Sequence, residues 1–141
     1  MSEQTAEFQI TALVCDMTLP WRAPGRAELR DVLPDRLRAG GVDFVSFTVA
    51  TDDQDAIGAI QAIAEERACI LASPDRFVLV ETAGDVRRAK AEGKLAIGLH
   101  FQGTLPVGRN LDLVEGSTSW ASATCSWPII RKTWSPTAAT S

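Results

Sequence analysis

Four short apolar runs, separated by stretches with helical spacing, constrain this chain more than any other feature. Ile10 to Asp16 is rich enough in Ile, Leu and Val to read as a buried strand, which Leu19-Pro20-Trp21 is expected to end. Val42 to Ala50, Phe77 to Glu81 and Leu95 to Phe101 are the other three strands. Between them, Ala27 to Ala39 carries Leu29, Val32, Leu33 and Leu37 at spacings near three and four, an amphipathic helix. Pro34 is awkward inside it and marks a candidate kink, and Gly40-Gly41 is a plausible stop. Asp53 to Leu71 is a second helix with an apolar stripe of Ile57, Ile60, Ile63 and Ala64, capped by Asp52 or Asp53. Ser73-Pro74-Asp75 is a turn, Ala83 to Ala91 is a short charged helix, and Gly93 stops it.

Strands alternating with helices indicate right-handed βαβ units on a parallel sheet, either doubly wound or part of a (β/α)₈ barrel. A complete barrel takes about 250 residues; the 141 residues here hold about four β/α units, half of one. No Gly-x-Gly-x-x-Gly follows the first strand, which weakens a dinucleotide-binding reading.

Composition removes several function classes. A formal net charge of -4 with no basic run argues against nucleic acid as the main partner. No apolar stretch approaches the roughly 18–20 residues of a membrane span. The start, Met1 to Gln9, is polar and acidic and does not read as a signal peptide, so a cytoplasmic setting is expected. Cys15, Cys69 and Cys125 are far apart and odd in number, the pattern of reduced, semi-buried thiols rather than of a disulfide framework. His100 is the only histidine, which excludes any site needing two from this polypeptide.

The chain changes character after Glu115, dividing into residues 1–115 and an irregular Ser/Thr/Trp-rich tail, 116–141. Charge nearly vanishes there, leaving Arg131 and Lys132, while Trp120, Trp127 and Trp134 recur every seven residues. A partner-binding helix and a disordered extension are two readings; Pro128 and Pro136 oppose the first. A shifted reading frame fits better. Read two nucleotides later, Trp120-Ala121 must yield glycine and Trp127-Pro128 alanine. With permitted codons elsewhere, a helix end and an ordinary buried strand emerge.

Barrel active sites lie at the C-terminal ends of the strands. Period-two alternation places Val14, Asp16 and Thr18 on one face of the first strand, and Gly98, His100 and Gln102 on one face of the fourth. Asp16, Thr18, His100 and Gln102 are therefore the polar groups expected at a common cleft. The structural alternatives are that Asp16 caps a turn and that His100 is a satisfied, partly buried imidazole.

Asp16-Met17-Thr18-Leu19-Pro20-Trp21 resembles the place where membrane (renal) dipeptidases carry a His-x-Asp motif followed by Leu-Pro-Trp. Ile97-Gly98-Leu99-His100-Phe101-Gln102-Gly103 is similar to that family's strand ending in Glu-Gly, and Asn110 to Glu115 to the start of the next helix. The likeness covers roughly Ile10 to Glu115, and the shifted tail extends it with a Leu-Gly-Val-Arg turn. The resemblance implies a (β/α)₈ metallopeptidase in which two zinc ions polarise the scissile carbonyl of a dipeptide and generate hydroxide. It puts the metal positions on Asp16, where the family has histidine, on Thr18, where it has aspartate, and on Gln102, where it has the bridging glutamate. The remaining family ligands are histidines farther downstream. Trp21 and His100 are the candidates for contact with a dipeptide-like substrate, and no residue is assigned as catalytic.

Two departures follow: the changed ligands imply a divergent subgroup, and the missing second half implies a broken copy without activity of its own. A half barrel also leaves open sheet edges, so self-association is expected. The competing readings are a small α/β binding or regulatory protein, and an interaction module acting through its tryptophans.

Overall fold

A computed structural model describes residue 8 and residues 11–20, 27–110 and 112–113, with the backbone alone for 27–31. The expectations for Trp21 and for the tail lie outside the described residues. Four strands, β1 (Cys15–Pro20), β2 (Phe44–Thr51), β3 (Phe77–Leu79) and β4 (Leu95–Gln102), alternate with three helices. These are α1 (Ala27–Ala39), α2 (Ala56–Leu71) and α3 (Ala83–Ala91). All strand pairings are parallel, in the order β1-β2-β4-β3. Among the described residues, no helix is long and apolar enough to cross a membrane.

The strand order departs from that of a regular barrel, in which successive strands are neighbours. β4 pairs along its whole length with β2, from Phe44↔Ala96 to Thr51↔Gln102, and β3 lies outside it. Seven of the eight residues of β4, in the inner position, are buried, whereas the three of β3, at the edge, are half-buried. The reversed step from β3 back to β4 also reverses the face on which a right-handed crossover must run. Leu33 and Leu37 of α1, and Ala59, Ile63 and Ile70 of α2, pack with Val45, Phe47, Val49, Leu95, Ile97, Leu99 and Phe101. Val86 and Ala89 of α3 instead pack with Phe44, Val80 and Ala96.

Most elements match their sequence pattern, with three corrections. β1 begins at Cys15, not Ile10, and its last residue is Pro20, within the Leu19-Pro20-Trp21 stretch expected to end it. Among the described residues β1 pairs only with β2, so it is an edge, where a residue without an N–H is tolerated. α2 starts at Ala56, and its cap is Asp55, whose Oδ1 accepts from the Gly58 N–H at 2.9 Å; neither Asp52 nor Asp53 caps it. Pro34 sits within α1 without dividing it into two helices. Gly41 and Gly93 end α1 and α3 with φ of 82° and 66°, values that favour glycine.

At the N-terminal ends of the strands, the Asp43 carboxylate accepts from the Val14 N–H (2.9 Å) and from Lys90 Nζ (2.8 Å). Lys90 also donates to the Ala12 carbonyl at 2.7 Å. One half-buried ion pair thus ties α3 to the approaches of β1 and β2 and closes the sheet at the end away from the candidate site.

Candidate active-site mouth

At the C-terminal ends of β2 and β4 a polar cluster forms around His100. Asp16, expected at the C-terminal end of the first strand, is instead the second residue of β1, in register with Val45, because β1 begins at Cys15. Along β2 and β4 the residues on one face are Ser46 and Thr48, paired in register with Gly98 and His100. The opposite face is apolar throughout. His100 is buried, and both of its ring nitrogens meet β2 hydroxyls: Nδ1 lies 2.7 Å from Ser46 Oγ and Nε2 lies 2.9 Å from Thr48 Oγ1. A neutral imidazole has one donor and one acceptor nitrogen, and a hydroxyl can serve either. The trio therefore satisfies itself without any external group. Burial pushes the His100 imidazole below its ordinary value, and the Asp16 carboxylate acts against that shift. The structural alternative foreseen for His100 is the arrangement found, and its burial is complete rather than partial.

Spacing along a single strand does not single out Ser46 and Thr48. Their signal was present: Ser46-x-Thr48 on one strand and Gly98-x-His100 on another share the same period. That β2 and β4 are neighbours, which gives the signal its meaning, is a fact of strand order.

Asp16 is half-buried in β1, and its Oδ1 accepts from the Thr18 N–H at 3.1 Å, the local turn-capping role weighed from sequence. Thr18 is exposed. β1 holds one more residue than β2 between Asp16 and Leu19, so the strict alternation expected to put Asp16 and Thr18 on one face is interrupted. Gln102 ends β4 with its side chain exposed, opposite Thr51 of β2.

Asp52, expected as a helix cap, belongs to the mouth instead. Its Oδ1 accepts from the N–H groups of Thr104 (2.8 Å) and Leu105 (3.0 Å), holding the turn that follows β4. Next to it, Thr51 Oγ1 donates to the Asp53 carboxylate.

The side chains at the three metal positions implied by the resemblance are one carboxylate, one hydroxyl and one amide. Two divalent ions held close together need anionic or imidazole donors, preferably a bridging carboxylate, and this set does not fit them. His100 does not complete it, because both of its nitrogens are already engaged. Among the described residues no group of three or more His, Cys, Asp or Glu side chains is placed to hold a metal ion. Cys15 and Cys69 are exposed rather than semi-buried, and neither is in a disulfide. Local desolvation pushes the Cys15 thiol up, Asp43 adds to the effect and Lys90 opposes it.

Comparison with solved structures matches this arrangement of strands and helices. An amidohydrolase from Pseudomonas aeruginosa superposes with a TM-score of 0.70 at 22% identity, over 82% of this chain and 34% of that one. Dipeptidase AC, a metallopeptidase of family M19, gives 0.61 at 19% identity, over 79% and 41%. The probable dipeptidase PvdM from Pseudomonas aeruginosa gives 0.63 at 14% identity, over 84% and 35%. The chain shares its fold with these hydrolases. At such identities the likeness is one of fold, and it agrees with the partial α/β barrel and the dipeptidase resemblance read from the sequence. The chain spans about a third to two fifths of the length of each matched structure. No family model matches the sequence, and no curated protein matches it.

Proposed function

We propose that this chain is the front part of a dipeptidase-fold hydrolase whose mouth faces a dipeptide-like small molecule, and that alone it neither assembles a two-zinc centre nor cleaves peptides. The observation that carries this reading is the state of His100. The one imidazole in the chain is committed to Ser46 and Thr48, which leaves Asp16 as the sole anion among the three positions where the resemblance expects metal ligands. Asp16, Thr18 and Gln102 are then remnants of a ligand set, and Gln102 offers a polar amide to a bound molecule.

Zinc content by elemental analysis, together with hydrolysis of simple dipeptides, tests the proposal on the purified chain. Less than stoichiometric zinc and no hydrolysis are expected. Two zinc ions per chain with turnover would overturn it. The nucleotide sequence beyond the Glu115 codon tests the accompanying proposal that 116–141 is out of frame: a shifted frame continuing into a histidine-bearing second half supports it, and the lack of one removes it.

Open edges support a further part of the proposal, self-association. Among the described residues β1 and β3 are each paired on one side only, and β1 exposes Met17. Analytical ultracentrifugation is expected to show concentration-dependent oligomers, and a sharp monomer with cooperative melting would contradict that.

A further inference from the structure

We propose that Asp52 is the positioning residue of the mouth, locking the ends of β2 and β4 into one body so that Gln102 is presented in a fixed orientation. The inference rests on reading this mouth as the site. Thr51 and Gln102 are partners in the sheet, so Asp52 and Gly103 are the first residues beyond the paired ends of the two strands. The Asp52 carboxylate reaches across and accepts the N–H groups of Thr104 and Leu105, two successive donors at 2.8 and 3.0 Å. Bonds from backbone donors to an ionised carboxylate are among the stronger hydrogen bonds a protein makes.

Gly103 is the second half of the device. A Cβ there would sit 2.6 Å from Asp52 Cγ and closer still to Oδ1, distances that real side chains do not adopt. It would also lie 3.0 Å from the Asp52 backbone nitrogen. The Gly103 φ lies outside the left-handed region, so this glycine answers to space and not to backbone conformation. The carboxylate occupies the space that the missing side chain leaves. Gln102 directly precedes this glycine, and its backbone is held by the sheet on one side and by the clamp on the other.

The test uses the full chain and NMR. Asp52→Ala is expected to speed amide exchange at Thr104 and Leu105 by at least about tenfold, the effect of losing bonds to a charged acceptor. Exchange at Leu99, inside β4, is expected to stay unchanged. The Gln102 side-chain amide resonances should move in Asp52→Ala and return toward their original positions in Asp52→Asn, whose amide oxygen still accepts both bonds. Gly103→Ala should reproduce the Asp52→Ala pattern, and combining the two should add little, because each removes the same contact. Unchanged exchange in Asp52→Ala, or additive effects in the double variant, would overturn the clamp. Unmoved Gln102 resonances would overturn the positioning role even if exchange rises. Titration with alanylalanine separates this inference from the reading it rests on. If Gln102 responds to Asp52 but not to the dipeptide, the clamp stands and the mouth is not a dipeptide site.

Discussion

The two faces of the sheet are built on different principles. One is apolar from end to end: Val45, Phe47 and Val49 of β2 and Leu95, Ile97, Leu99 and Phe101 of β4 lie under α1 and α2. The other changes halfway along. At its lower end Phe44, Ala96 and Val80 meet α3, and at its upper end Ser46, Thr48 and His100 satisfy one another. Burying an apolar side chain stabilises by about 1.5–3 kcal/mol wherever it sits, whereas a buried polar group contributes only when every partner is present. The first face therefore determines that the chain folds, and the second determines how the strands near the mouth are held.

This contrast sets the order of expected effects. Leu99→Ala, on the apolar face, should be the most damaging, at about 2–5 kcal/mol by denaturant unfolding. A loss below about 1 kcal/mol would mean that this face is not the main core. On the polar face, His100→Ala should cost about 1–3 kcal/mol, because it leaves two buried hydroxyls without their partner.

His100 also gives the polar face a pH signature. Its folded value is depressed below an ordinary value near 6.5, so the folded state resists protonation. The stability this contributes is fully present above the ordinary value and is lost as pH falls below it toward the folded value. Urea midpoints are expected to fall on acidification below about pH 6.5, with a shallower slope in His100→Gln. Equal slopes would assign the effect to the carboxylates.

At the lower end, Lys90→Met should cost about 1–2 kcal/mol, since it leaves the half-buried Asp43 carboxylate without its cation. The smallest effect belongs to the exposed face of α3. Arg88→Ala removes the surface pair with Asp85 and is expected to cost at most about 0.5 kcal/mol. If thermal melts rank Arg88→Ala above Lys90→Met, the lower end of the sheet is not closed by its ion pair.

The same contrast explains how much the sequence reveals. The apolar face is legible because hydrophobic periodicity is a local signal: the runs at 42–50 and 95–101 name both inner strands. The polar face is not, because its meaning depends on which strands are neighbours. Nothing local to Phe77–Leu79 says that this strand yields its place to β4, so the partnership of His100 with Ser46 and Thr48 stays hidden. The role of Asp52 is hidden for a similar reason. An aspartate just before a helical pattern reads as a cap, and only the return of β4 beside β2 shows that its partners are the N–H groups of Thr104 and Leu105. Alternation also overreached in β1, where the extra residue between Asp16 and Leu19 breaks the period assumed for Thr18.

The central claim is that the imidazole at the mouth is committed to the sheet and not to a metal. Nitrogen-15 NMR of the His100 ring, recorded near neutral pH before and after adding zinc, tests it most directly. A neutral ring whose resonances stay in place on zinc addition is the result this account predicts. A zinc-induced shift of either ring nitrogen, saturating at stoichiometric metal, would contradict it.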